Sequence, residues 1–351
     1  MEKRLLIKRW LGSDTQPIAI YDEASVSSAR QRVREAGQHF KLRKEVVETV
    51  ALIASELTHN HLSHARQGYF LVRPIHRSGV KGLEVIAADI GPGLTAPAAA
   101  IRGDITKNTG SLGAGVSAVC RLADEVEFDN RIVEGTCIVA RKFETAAPSF
   151  CEAAIMGKPF PGEALSGDDA IMIQTDGDFV AAVADGLGHG PEAREASNRA
   201  MEVVSRSAQT DLVAMAIAIN EELAGTRGCV ISIVRYTKAE GILENISAGD
   251  VRAHLYHLRD AHFFTPTPMV LGTGQSRPQK LRIERVPVKP GSILSIFTDG
   301  LKSRTSLKGA LDVLRQPTIA IAQHMLDTES RPDDDALVLV CRFTATPEAV
   351  K

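Results

Sequence analysis

The heptapeptide Ala184-Asp185-Gly186-Leu187-Gly188-His189-Gly190 constrains this chain more than any other stretch. An apolar run over residues 179–183 precedes it and reads as a buried strand, and a helical pattern over 192–207 follows. One carboxylate therefore stands at the mouth of a strand, in a turn holding three glycines. Carboxylates suit hard cations such as Mg²⁺ and Mn²⁺, which take oxygen ligands. Glycine lets a backbone carbonyl approach such an ion or its waters. An isolated Asp-Gly pair is more often an ordinary turn, because both residues favour turns. The balance changes because acids recur at strand ends. Ser166-Gly167-Asp168-Asp169 opens a strand, Thr298-Asp299-Gly300 closes one, and Asp333-Asp334-Asp335 opens the last. Four carboxylates on one rim of a sheet can hold two divalent cations roughly 3.5–4 Å apart, which polarise a phosphoryl oxygen and activate water. The patterns leave Asp168 against Asp169, and Asp334 against Asp335, open.

Around this turn the second half reads strands first, over 150–155, 169–174 and 179–184. Helices follow over 192–207 and 212–223. Strands return over 229–236, 241–247, 252–257, 279–286 and 292–298, and a helix over 318–327 precedes a last strand over 336–342. That order predicts two packed sheets flanked by helices. The first half differs. A short strand over 18–21 is followed by a helix over 25–39 with a serine cap. A second helix covers 42–65, with Val46, Val47, Val50, Leu52, Ile53, Ala54 and Leu57 as its apolar stripe. Strands over 68–72 and 83–89, a loop-rich segment over 94–109, a helix over 116–122 and a hairpin over 126–142 complete it. At 351 residues, two domains are expected. Ala146-Ala147-Pro148-Ser149 marks the break, giving domains over 1–145 and 150–345.

The first half carries three elements in order: Glu56 and Asn60, Asp89-x-Gly91-x-Gly93, and Gly110-x-Leu112-Gly113-Ala114-Gly115. Glu56 and Asn60 are four apart, so they share one helix face. With ATP as ligand each element has a task. Asn60 offers its amide oxygen to Mg²⁺, which bridges phosphate oxygens. Glu56, one turn away, takes the proton of an attacking hydroxyl. Asp89 accepts from the adenine amino group, and Gly91 and Gly93 let backbone pass the base. Gly113 and Gly115 turn N–H groups to the phosphates from a loop that feeds a helix N-terminus.

Residues 18–143 resemble the small ATP-binding serine kinases of the GHKL superfamily, most of all the switch kinase of bacterial stressosomes and its anti-sigma-factor relatives. The resemblance rests on Ala29-Arg30-Gln31-Arg32-Val33-Arg34-Glu35, Ser55-Glu56-Leu57-Thr58-His59-Asn60, Asp89-Ile90-Gly91-Pro92-Gly93, and Gly110 to Gly115 followed by Arg121-Leu122-Ala123-Asp124-Glu125. It implies an α/β sandwich that binds ATP and Mg²⁺, with Glu56 as catalytic base, Asn60 as Mg²⁺ ligand and Asp89 as adenine contact. It also implies a Ser or Thr of a STAS-domain partner as substrate. His59 and His61 flank Asn60 and are read as structural.

Residues 150–343 resemble the PP2C-like phosphatases of the SpoIIE type. Ala184 to Gly190 is their signature, and Phe297-Thr298-Asp299-Gly300 and Asp334-Asp335-Ala336-Leu337-Val338 match later motifs. The resemblance implies an α-β-β-α sandwich holding two Mn²⁺ or Mg²⁺. Asp185 would bridge both ions, Gly186 would add a carbonyl, and Asp168, Asp299 and Asp334 would complete the shells. His189 is expected to brace the turn.

A net charge of −2 leaves no basic footprint for nucleic acid. No apolar run approaches a membrane span. Five scattered cysteines without a CxxC pair suit reduced thiols in the cytoplasm. The expected function is a cytoplasmic regulator of bacterial partner switching. Its kinase-like and phosphatase domains would act on STAS-type anti-anti-sigma or stressosome proteins, with a sigma factor or downstream phosphatase as further partners. The competing expectation is a phosphatase whose first domain only binds a partner in an ATP-dependent way.

Overall fold

The computed structural model describes residues 16–65, 67–77, 79–91, 112–130, 135–145, 151–163, 166–174 and 177–344. The chain divides into two compact units, Met1–Asn130 with Glu134–Glu152, and Arg131–Val133 with Ala153–Lys351. The break expected over 146–149 lies outside the described residues.

In the first unit, β1 (Ile18–Ile20) leads to helices α1 (Glu23–His39) and α2 (Lys44–His64). Strands β2 (Gln67–Arg77) and β3 (Val80–Ile90), helix α3 (Leu112–Leu122), and strands β4 (Glu125–Asn130) and β5 (Thr136–Phe143) follow. The strands order as β1–β2–β3–β5–β4, all antiparallel. Alternation along β2 and β3 turns Phe70, Leu83, Val85 and Ala87 into the core with Val26, Ala29, Val50, Ile53 and Leu57 of α1 and α2. Residues of the other parity, Glu84 and Arg141 among them, form an ion-paired lattice with Arg73, Glu125 and Glu127. The serine cap expected for α1 is corrected. Asp22 caps the helix, and Ser25 sits at the third helical position, returning a bond to the Asp22 backbone N–H at 3.1 Å in a capping box. The glycine run is corrected too. Helix α3 begins at Leu112, so Gly113, Ala114 and Gly115 form its first turn and not a loop before it.

The second unit opens with β6 (Cys151–Lys158), β7 (Asp168–Gln174) and β8 (Asp178–Gly186). Helices α4 (Pro191–Arg206) and α5 (Leu212–Glu222) follow, then β9 (Cys229–Thr237), β10 (Ile242–Ala248), β11 (Arg252–His257) and β12 (Asp260–Phe263). Strands β13 (Glu284–Pro287) and β14 (Ile293–Phe297), helices α6 (Leu311–Leu314) and α7 (Thr318–Glu329), and β15 (Ala336–Phe343) close it. One sheet runs β6–β15–β14–β11–β12 and the other β13–β10–β9–β8–β7. The strand expected over 279–286 is shorter. A 3₁₀ turn at Pro278–Lys280 takes its start, because Pro278 lacks the N–H a ladder needs.

The small residues Ala196 and Ala200 of α4 pack against Val180, Ala182 and Ala184 of β8, with α5 alongside. Helix α7 lies on β15. The opposite parity of β8, Phe179, Ala181 and Val183, faces the other sheet, where the Phe179 and Phe343 rings meet edge-on at 6.2 Å. This is the α-β-β-α sandwich expected. Asp185 continues that inner parity, so its carboxylate opens between the two sheets at their edge.

Candidate functional site

Residues directly opposite each other in an antiparallel pair project to the same side of the sheet. Asp168 at the start of β7 pairs with Asp185 at the end of β8, so both carboxylates face the cleft between the sheets. Asp169 has the other parity. It faces Arg194 of α4, with 3.5 Å between Oδ1 and the guanidinium, while Arg194 also donates to the Asp168 carbonyl at 2.8 Å. The second sheet brings Thr298 and Asp299 from the end of β14. The Thr298 hydroxyl donates to Asp168 Oδ2 at 2.7 Å and accepts from the Leu337 N–H at 3.0 Å, so one hydroxyl ties the two sheets beneath the site.

Asp334 and Asp335 precede β15 and take different tasks. Asp335 is buried, and its Oδ2 accepts from the Gly167 N–H at 2.6 Å and the Ser166 hydroxyl at 3.1 Å, clamping the turn that carries Asp168. Asp334 is half-buried and stands in the electrostatic reach of Asp299. Two glycines make the close approach possible. A Cβ on Gly186 would lie 2.0 Å from the Ala193 carbonyl oxygen, and one on Gly300 would lie 1.8 Å from that of Asp335. The turn after Asp185 is braced by His189, which stacks on Phe160 at 4.2 Å and sits 3.4 Å from Glu163 Oε1.

The electrostatics follow from this crowding. Burial, then the charges of Asp299, Asp335 and Asp334, push Asp185 up to about 8. Burial and Asp185 hold Asp168 well above the usual carboxylate range. Asp299 is raised by burial and by Asp334, against the pull of Arg331, and Asp334 is raised by burial and Asp335. Among the described residues no three acidic, His or Cys side chains close round one point. Mg²⁺ usually retains several waters and takes only one or two carboxylates, so its site need not gather three side chains round one point. A rim of hard oxygens carrying excess negative charge fits divalent cations.

In the first unit, Glu56 and Asn60 stand on the same face of α2, and the first turn of α3 rests on them. A Cβ on Gly115 would lie 3.0 Å from Asn60 Oδ1 and 3.2 Å from Glu56 Oε2. Asn60 Nδ2 is buried without a hydrogen-bond partner among the described residues, a demand that a polar ligand can meet. Asp89 ends β3, and burial raises it to about 7, against a bond from the Thr136 backbone. An amino donor there stabilises its ionised form. Gly91 closes on it, with a Cβ 2.9 Å from Asp89 Oδ1. The His61 ring lies buried beneath Gly68, 3.9 Å from Asp89, and burial lowers it to about 4, so it is neutral. His59 is exposed, within 2.7 Å of the Ser55 carbonyl oxygen. Gly93 and Gly110 lie outside the described residues; Leu112, Gly113 and Ala114 are placed as the start of α3.

Residues 21–142 match the family model of the histidine kinase-like ATPase domain, and residues 175–344 match that of stage II sporulation protein E, SpoIIE. The phosphoserine phosphatase RsbX of Bacillus subtilis (strain 168) is 31% identical over 140 residues, 40% of this chain and 69% of RsbX. The serine/threonine-protein kinase RsbT of the same organism is 30% identical over 131 residues, 37% of this chain and 98% of RsbT. The chain belongs to both families. A structure reported for the bacterial stressosome, a modular system adapted to control secondary messenger signalling, matches 55% of the chain and all of that chain. Its TM-score is 0.52 and its identity 27%. RsbX in complex with magnesium shares the fold, with TM-score 0.50 and 22% identity over 57% of this chain and 98% of that one. The second unit is thus a SpoIIE-type, PP2C-like serine/threonine phosphatase domain, and the first a kinase-like ATPase domain. No described helix is long and apolar enough to cross a membrane.

Sequence reasoning missed Thr298 as a donor to Asp168, Arg194 as the partner of Asp169, and Asp335 as a clamp. Only the adjacency of Thr298 to Asp299 hinted at the first. The raised carboxylates of the SpoIIE-type domain also make a prediction. A group whose folded pKa lies above its unfolded value contributes stability that is full below the unfolded value and lost as pH rises through the folded one. For Asp185 that window runs from 3.8 to about 8. Without metal, thermal unfolding of this domain is expected at falling temperature as pH rises across the window. Mn²⁺ or Mg²⁺ should raise the midpoint, most strongly at the alkaline end. A metal-free midpoint that climbs with pH would contradict the like-charge account of the rim.

Proposed function

We propose that this chain is a bifunctional regulator of partner switching, with two opposed phosphoryl chemistries on one polypeptide. The observation that carries the phosphatase half is the convergence of Asp168, Asp185, Asp299 and Asp334 from four strand ends on one rim, each raised by burial and by its neighbours. These four, with the Gly186 carbonyl, would hold two Mn²⁺ or Mg²⁺. Bound there, the ions supply charge neutralisation at the phosphoryl group and an activated water. The chain's residues do the positioning. Thr298 and the Asp335 clamp fix Asp168, and Arg194 neutralises Asp169 so that it does not compete for the rim. Asp185 gives up its proton as the site loads.

The ATPase-type domain would hold ATP through Asp89, Gly91 and the first turn of α3, with Asn60 toward Mg²⁺. Glu56 would take the proton of an incoming Ser or Thr hydroxyl. The favoured partners are STAS-domain proteins of the anti-anti-sigma or stressosome type, since RsbT, RsbX and the stressosome structure are among the relatives. Glu56 beside Asn60 and Gly115 favours transfer over mere ATP-dependent binding. Hydrolysis of an aryl phosphate by the purified chain tests the phosphatase half. Turnover is expected with Mn²⁺ or Mg²⁺ and none with chelator; turnover indifferent to chelator would sink the metal reading. Incubation of a STAS protein with the chain and labelled ATP tests the kinase half.

A further inference from the structure

We infer that the SpoIIE-type domain selects its substrate through a cleft of mixed lining beside the carboxylate rim, whose apolar part takes an aliphatic side chain within two residues of the phosphoserine. The inference rests on the phosphatase reading and names the substrate class of that same site. The cleft measures about 1020 Å³, and Asp185 and Asp299 form part of its wall, so it is continuous with the place where the phosphate must sit. Pockets for whole small ligands run roughly 300–1,000 Å³, so a phosphoseryl group alone leaves most of it empty. Leu187, Val230, Met269 and Val270 form its apolar part, and Thr273, Gln275, Ser276 and Arg277 belong to the same lining. Val230 is the register partner of Asp185, and an apolar wall therefore begins directly beside the rim.

The cleft is preformed. The backbone of Leu271 exchanges both bonds with Cys229 at 2.9 and 3.0 Å, and Thr267 bonds Gly249 and Ser247 at 2.8 Å each, so Met269 and Val270 lie on a segment tied at both ends. A Cβ on Gly228 would lie 2.4 Å from the Leu271 carbonyl oxygen, and one on Gly249 would lie 2.0 Å from Val230 Cγ1, so neither tie has slack. Arg277 of the same wall is turned onto its own loop, donating to the Ser276 carbonyl at 2.8 Å. Asp250, exposed on the wall, sets a negative charge against an acidic flanking residue. The occupant is an extended phosphoprotein segment with an aliphatic, not acidic, neighbour to the phosphoserine.

The test uses fluorescent peptides carrying an uncleavable phosphonate in place of phosphoserine, titrated against the full chain with Mn²⁺. Two pairs contrast Leu with Glu, one pair before and one after the phosphonate. The unmodified chain should prefer Leu by about tenfold in at least one pair, the discrimination a hydrophobic pocket can give. Met269→Asp and the nearly isosteric Val270→Thr should erase or shrink that preference, with melting curves confirming that each folds. For cleavable peptides, the ratio of kcat/KM for the Leu peptide to that for an aryl phosphate should fall by a similar factor. Equal affinity for Leu and Glu in both pairs, or variants that weaken both members alike, would overturn the cleft assignment. Binding needs no turnover, so failure of the phosphatase reading shows separately, as absent metal-dependent aryl phosphate hydrolysis.

Discussion

Asp185→Asn is expected to abolish phosphatase turnover while leaving ATP binding by the first unit intact. Asp185 is the register partner of Asp168 and feels the charges of Asp299, Asp335 and Asp334. The amide keeps the shape but removes the one charge that would bridge two cations. Each ion contributes several kcal/mol of charge stabilisation at the phosphoryl group, and a loss of about 4 kcal/mol is roughly a thousandfold in rate. The measurement is aryl phosphate hydrolysis across a Mn²⁺ titration, beside calorimetric ATP binding. The variant should also lose the stabilisation by metal described above, and its metal-free melting should depend less on pH, because the most crowded carboxylate is gone. Turnover at an unchanged rate would show that the rim is not the metal centre.

The second large effect is expected from Glu56→Gln. Phosphate transfer should fall by about 10²–10⁴-fold, the usual contribution of a positioned base, with ATP affinity nearly unchanged. Glutamine keeps the contact with the first turn of α3 but takes no proton. Asn60→Ala serves as the contrast, because Asn60 Nδ2 is buried with no partner among the described residues and Asn60 is proposed to hold Mg²⁺. It should weaken Mg²⁺-dependent nucleotide binding itself. The two variants together separate chemistry from binding. If the unmodified chain captures a STAS protein only with ATP yet never labels it, and Glu56→Gln captures it equally well, the first unit is a binding module.

Much of this protein was legible from local pattern. The spacing of Glu56 and Asn60 places them on one helix face whatever surrounds the helix, because 3.6 residues make a turn. The apolar run before Asp185 and the acids at 168–169, 299 and 333–335 mark strand ends, because carboxylates and glycine collect where strands stop. Residues 45–115 present the elements of an ATP-binding module in chain order. The errors were local competitions. Ser25 has the chemistry of a cap, but Asp22, three residues earlier, accepts from the Ser25 N–H and takes that place. The glycines at 113 and 115 favour a loop, but the apolar rhythm of α3 includes them.

The sequence by itself determined which residue types this protein has for phosphoryl chemistry, and that they fall into two separate sets. It could not decide between Asp168 and Asp169, or between Asp334 and Asp335. Within a strand the side-chain period is two, so adjacent aspartates face opposite sides, and which side is the site depends on register with a distant partner. Register pairs Asp168 with Asp185 and sends Asp169 to Arg194. Packing of one sheet on the other brings Thr298 to Asp168 across 130 positions of chain and Asp335 to Gly167 across 168. Other long-range ties, Leu271 to Cys229 and Thr267 to Gly249 and Ser247, hold Met269 and Val270 beside the rim. None of these contacts has a local signature, because each is enforced by the closure of the whole sandwich around its core.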